Sequence, residues 1–112
     1  MNTDYTPGRG DIIRIDINFD ETEAENKAKK TALVISPKAY NEKTNLAIVC
    51  PVKTKVKGYP FEVPISEDVK VKGVIISDQV KSVNWRVRNA EYICKLHDSD
   101  FSEVISRLLT LF

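Results

Sequence analysis

Ile13, Ile15 and Ile17 alternate with Arg14, Asp16 and Asn18. That period of two sets successive side chains on opposite faces of a half-buried strand. Short apolar runs rich in Ile and Val recur over Ala32–Ser36, Leu46–Val56, Phe61–Ile65, Gly73–Ser77, Ser82–Val87 and Glu91–Leu96. Gly, Pro and Asn break the chain between most of them, and strands at this spacing predict a small sandwich or barrel, not βαβ units. Near the end the period changes. Phe101, Val104, Ile105, Leu108 and Leu109 fall at i, i+3, i+4, i+7 and i+8, the stripe of an amphipathic helix over about residues 99–111. Asp100 stands three residues before Glu103, as in a capping box. The expectation is a mainly β domain with a C-terminal helix covering one opening or face of the sheet. The charged stretch Asp20–Lys30 has neither pattern and reads as a long functional loop.

Composition narrows this picture. With 112 residues, 42% hydrophobic and 29% charged, the chain has room for one domain, 1–112, and not for a separate cofactor module. The balance fits neither a disordered nor a collagen-like chain. No apolar run approaches the ~20 residues of a membrane span, and the polar start lacks a signal-peptide pattern, so a cytoplasmic protein with no membrane partner is expected. Cys50 and Cys94 each sit in an apolar run and read as buried thiols, with a disulfide as the alternative.

The net charge of +1 hides a blocked distribution. Lys27, Lys29 and Lys30 follow an acidic block, Lys53, Lys55 and Lys57 form a second basic block, and Lys70, Lys72, Lys81, Arg86 and Arg88 come later. If these converge, one face is strongly positive. The lone histidine, His97, leaves no His pair for acid and base work within one chain and reads as a solvated or capping residue. No zinc spacing, calcium loop or glycine-rich phosphate cradle occurs, so no metal and no cofactor is expected. Cations with isolated carboxylates and hydroxyls suit a phosphodiester. RNA cleavage by its own 2′-hydroxyl needs charge on the phosphate oxygens, a base for the hydroxyl and an acid for the leaving oxygen. The bland alternative is a solvated charged surface.

Five stretches add a resemblance. They are Gly10-Asp11-Ile12-Ile13-Arg14-Ile15-Asp16; Leu33-Val34-Ile35-Ser36-Pro37 with Tyr40-Asn41; Lys57-Gly58-Tyr59-Pro60-Phe61-Glu62-Val63; Ser77-Asp78-Gln79-Val80-Lys81-Ser82; and Trp85-Arg86-Val87-Arg88. In this order and spacing, from about Tyr5 to Phe112, the chain resembles the MazF/PemK toxins. The resemblance implies an SH3-like β-barrel with a terminal helix, assembled as a homodimer. It also implies a toxin of a type II toxin–antitoxin system, a sequence-specific, metal-independent endoribonuclease. Such an enzyme cuts single-stranded RNA to a 2′,3′-cyclic phosphate and a 5′-hydroxyl. The implied partner is a small antitoxin whose disordered acidic tail covers the RNA groove.

Carried onto this sequence, the resemblance makes Glu25, Lys30, Lys53 and Thr54 the candidate catalytic residues. Lys55, Lys57, Tyr59, Asp78, Gln79, Lys81, Arg86 and Arg88 are the candidate RNA contacts. Tyr59, Phe61 and Trp85 are able to stack bases, although Phe61 and Trp85 read better as core. Two positions depart from the family pattern. Lys30-Thr31 stands where Arg-Pro is usual, and Lys53 takes the place of a threonine that helps hold the phosphate, with Thr54 one residue later. Two alternatives follow: a catalytically impaired homologue that binds RNA or antitoxin without cutting, or a gyrase-poisoning toxin on the same fold.

Overall fold

The computed structural model describes residues 4–17 and 29–112. Seven strands and two helices follow in the order β1 (Asp11–Ile15), β2 (Lys30–Val34), α1 (Lys38–Thr44), β3 (Leu46–Lys53), β4 (Glu62–Pro64), β5 (Val74–Ile76), β6 (Lys81–Asn84), β7 (Glu91–Lys95) and α2 (Asp98–Leu109). Every pairing is antiparallel. The sheet path is β4-β5-β3-β2-β1-β7, and β6 pairs with the first half of β3. The result is the expected mainly β, small barrel-like fold with a C-terminal helix, although the sheet is not fully closed. Among the described residues no helix is long and apolar enough to cross a membrane.

Alternation decides the core. Ile12, Leu33, Cys50 and Ile75 face one side, together with Val63, Leu96 and Val104 of α2. Ile13, Ile15, Ala32, Val34, Ala47 and Val49 face the other, under Val83 and Trp85. Both faces of the central strands are therefore buried, which is why Ile12 is as buried as Ile13 and Ile15 although it breaks the alternation seen in the sequence. A bulge between Ile12 and Ile13, opposite β7, lets the pairing shift from Cys94 to Tyr92.

Several boundaries differ from the sequence expectation. β3 stops at Lys53 instead of running to Val56, and β6 ends at Asn84, where the chain turns through residues 85–89. Helix α1 has no counterpart in the apolar pattern, because its only buried residue is the polar Asn41. The Asn41 side chain donates to the carbonyls of Pro7 and Ser36 and accepts from the Ser36 hydroxyl, and its backbone carbonyl accepts the Trp85 indole N–H. A polar hub, not an apolar stripe, holds this helix. Asn45 in the left-handed region ends it.

The capping box at α2 does not form. The N-cap position is His97, without a side-chain cap bond, and Asp100 instead accepts the Ser66 N–H at 2.8 Å, tying the β4–β5 connection to the helix. The His97 side chain pairs with Asp68 at 2.8 Å, and that hydrogen bond holds the Asp68 carboxyl below its usual range. The thiols are free: Cys50 is buried, whereas Cys94 is half-buried. Glu25 and residues 20–28 of the expected loop lie outside the described residues.

Candidate nucleic-acid interface

The strand register brings the two departing lysines together. β2 and β3 pair Leu33 with Cys50 and Ala32 with Pro51, and toward the start of β2 their pairing ends there. Residues two apart on a strand share a face, so Lys30 at the start of β2 and Lys53 at the end of β3 lie on the side of Ala32 and Pro51. On the other side of β3, Val49 pairs with Lys81. Val49 and Lys53 are four residues apart, so Lys81 lies on that same face about 13 Å along the strand. Three lysines from three strands thus share one face. Lys30 is half-buried and opens β2 opposite Ile15, inside the sheet instead of at the end of an exposed loop.

The end of β3 is fixed from the far side by Gly73. Its φ is +131°, and a Cβ built there would lie 2.2 Å from the Lys53 carbonyl oxygen. Only glycine lets β5 approach this closely and hold Lys53 opposite Val74. Val52 pairs with Ile75 and Lys53 with Val74, and there the strand ends. Thr54 opens the following bend and is exposed.

The β3–β4 loop carries Lys55, Lys57 and Tyr59, all exposed. The Tyr59 hydroxyl donates to Asp78 Oδ2, and this bond raises the tyrosine pKa, so the phenol stays protonated at neutral pH. Asp78 Oδ1 is buried and has no partner among the described residues. The Tyr59 and Phe61 rings lie 5.8 Å apart, tilted by 47°. In the core, Cys50 is pushed up to about 12, first by burial and then by the Asp78 carboxylate. Gln79 is exposed on the segment leading to β6. Tyr59 and Asp78 thus join the β3–β4 loop to the β5–β6 connection, while Lys30, Lys53 and Lys81 share a face of the sheet.

Arg86 is not gathered there. It lies 4.5 Å over the Trp85 ring and donates to Asn45 Oδ1 at 3.0 Å, beside the start of β3, at the opposite end of an eight-residue strand from Lys53. Trp85 itself is core. Arg88 is exposed, and its carbonyl accepts the Asp16 N–H. Three residues of this region carried no signal in the hydrophobic pattern. Lys29 donates to the Asn89 carbonyl and pairs with Glu91 at 3.3 Å, pinning the start of β2 to β7. Glu62 and Arg107 bracket the Lys-rich loop, and their chemistry becomes visible only when β4 and α2 come together. Among the described residues no three His, Cys, Asp or Glu side chains are grouped to hold a metal ion.

A small barrel-like antiparallel sheet with a terminal helix and a lysine face at the end of β3 defines a class with clear relatives. Residues 8–112 match the family of PemK-like, MazF-like toxins of type II toxin–antitoxin systems, and the chain belongs to that family. It is 44% identical over 91 residues to the endoribonuclease toxin MazF of Escherichia coli (strain K12), covering 80% of this chain and 79% of that one. The structure superposes on MazF from Deinococcus radiodurans with a TM-score of 0.86 at 36% identity, covering 96% and 97% of the two chains. It superposes on a MazE–MazF structure from the same organism at 0.85 and 35% identity, covering 96% of each.

Proposed function

We propose that this chain is an endoribonuclease toxin that cuts single-stranded RNA at specific sequences without a metal ion. The observation that carries the proposal is the shared face of Lys30, Lys53 and Lys81 on three neighbouring strands. Ammonium groups gathered on one face favour an anion beside them. A phosphodiester seated there has its nonbridging oxygens stabilised as negative charge grows on the pentacovalent phosphorus. The adjacent 2′-oxygen loses its proton to a base and bonds to phosphorus. The P–O5′ bond then breaks, and the leaving oxygen takes a proton, giving a 2′,3′-cyclic phosphate and a 5′-hydroxyl. Glu25 is the candidate base, Lys30 is the candidate for holding the charge on the phosphate oxygens, and the leaving oxygen takes its proton from water. Lys55, Lys57, Tyr59, Asp78 and Gln79 line the approach for neighbouring nucleotides, with Arg86 and Arg88 available only to RNA that extends beyond it.

Support comes from the relatives, which are named endoribonucleases at 44% identity and, for PemK of Escherichia coli, 24%. The working form in this reading is a homodimer, held in check by a small antitoxin with an acidic disordered tail; the MazE–MazF structure among the relatives supports an antitoxin partner.

A second reading, a homologue that binds without cutting, is favoured by one feature: lysine stands at both positions that depart from the family pattern. Wild type, Lys53→Ala and the double variant Lys30→Arg/Lys53→Thr decide between them on a radiolabelled single-stranded RNA. Cleavage by wild type that drops in Lys53→Ala supports the enzyme. Binding without cleavage by wild type, with cleavage appearing in the double variant, supports the binder.

A further inference from the structure

Glu62 and Arg107 touch neither the expected phosphate nor a base, yet they set the shape of the loop that carries Lys55, Lys57 and Tyr59. Glu62 opens β4 and is 7% exposed. Its carboxylate accepts the N–H of Lys57 at 3.0 Å and of Gly58 at 3.0 Å. With Gly58 at φ +77°, two successive N–H groups converge into the concave arrangement that in other proteins captures a free anion. Here the chain's own carboxylate fills it. The loop amides are therefore spent internally, and the loop is left with its side chains for an RNA phosphate.

The other side of the loop is held from α2 and from the turn that follows β5. Arg107 Nη1 donates to the carbonyls of Pro60 at 2.6 Å and Glu62 at 3.1 Å, while its Nε is fixed by Glu103 at 2.7 Å. Ser77 donates to the Phe61 carbonyl through both its N–H and its hydroxyl. Three consecutive carbonyls, at residues 60, 61 and 62, are thus engaged from outside the loop, two of them by a single guanidinium. A planar fork held by its own ion pair is suited to this, because it loses little freedom when it bonds.

We propose that Glu62 and Arg107 are positioning residues for RNA binding: together they preset the 57–61 loop so that Lys57 and Tyr59 meet the substrate without a further ordering cost. The proposal rests on the RNA-cutting function above. Preorganisation of this kind lowers the cost of forming the complex and leaves the chemical step alone. The effect belongs on KM, not on kcat.

The test uses the full chain as wild type, Arg107→Met, which keeps the aliphatic stem and removes the donors, and Arg107→Lys, which restores one charged donor. Amide exchange at Lys57 and Gly58 is followed alongside steady-state cleavage of a single-stranded RNA. The methionine variant should fold, exchange those amides faster and raise KM about tenfold with kcat within about threefold, and the lysine variant should fall between it and wild type. Should Arg107→Met fail to fold, Glu62→Gln, which keeps one acceptor oxygen, should show the same split. Unchanged exchange, faster exchange with unchanged KM, or a matching loss of kcat in a folded variant would each overturn the positioning role. A wild type that neither binds nor cuts RNA is a different failure, seen before any variant is compared: the RNA-cutting function falls, and this role with it.

Discussion

Lys30 is the residue at which charge and geometry separate most cleanly. If it stabilises the phosphate in the transition state, Lys30→Ala should cost about 2–4 kcal/mol of activation free energy, the range for one preorganised electrostatic donor. Lys30→Arg should keep or raise the rate, because the guanidinium fork suits two phosphate oxygens. Single-turnover cleavage measures both, and circular dichroism checks that β2 still pairs with β1. A second residue gives a test that needs no RNA. Cys50 is buried and pushed up to about 12, whereas Cys94 on β7 is half-buried. Since the thiolate is the nucleophile, iodoacetamide at pH 8 should modify Cys94 in the native protein and reach Cys50 only in denaturant. Mass spectrometry of the alkylated peptides reads the order, and equal rates at the two thiols would show that the strand centre is open.

At the scale of elements, Gly73 is the point where one missing side chain holds two strands in place. Any Cβ there meets the Lys53 carbonyl at 2.2 Å, and the +131° φ strains every other residue. Gly73→Ala should therefore lower the unfolding midpoint, by about 1–3 kcal/mol in stability, and reduce cleavage further than the stability loss explains. Urea unfolding, with activity measured on the folded fraction, separates the two effects.

The same elements show how much of the fold is legible in the sequence. The alternation around Ile13 and Ile15 predicts β1, although Ile12 buries its other face too, and the stripe of Phe101, Val104 and Ile105 predicts α2 because one face of that helix packs on the sheet. α1 is invisible in the pattern because Asn41 holds it by hydrogen bonds, and no periodicity records those. The apolar runs overstate β3 and β6, since Val56 and Val87 extend them but are exposed once the chain turns. The five motifs locate the face of the candidate site. Its internal geometry is a matter of strand pairing: Lys30 and Lys53 are 23 positions apart in sequence and come to one face only because β2 pairs with β3. Charge alone groups Arg86 with them, and the turn after β6 carries it to the other end of β3.

For the whole molecule, charge is nearly balanced, so any affinity for RNA must come from where the cations sit. Lys53 ends β3 and Lys55 and Lys57 follow it in the loop, while Lys30 and Lys81 share its face, Lys81 about 13 Å back along the strand. If all five meet phosphates, the logarithm of the binding constant should fall with the logarithm of salt at a slope of about −3.5, and Lys57→Ala should flatten it by about 0.7. Fluorescence anisotropy over a salt series measures both, and a flat dependence would remove the electrostatic groove from the account.

The central claim is that this lysine face cuts RNA with the substrate's own 2′-hydroxyl and without a metal. The most direct measurement incubates the purified protein with a long single-stranded RNA in excess EDTA and maps both ends of every fragment. The account predicts cuts at a recurring short sequence, each leaving a 2′,3′-cyclic phosphate and a 5′-hydroxyl. Intact RNA at every concentration of folded protein, or fragments that appear only when a divalent metal is restored, would contradict it.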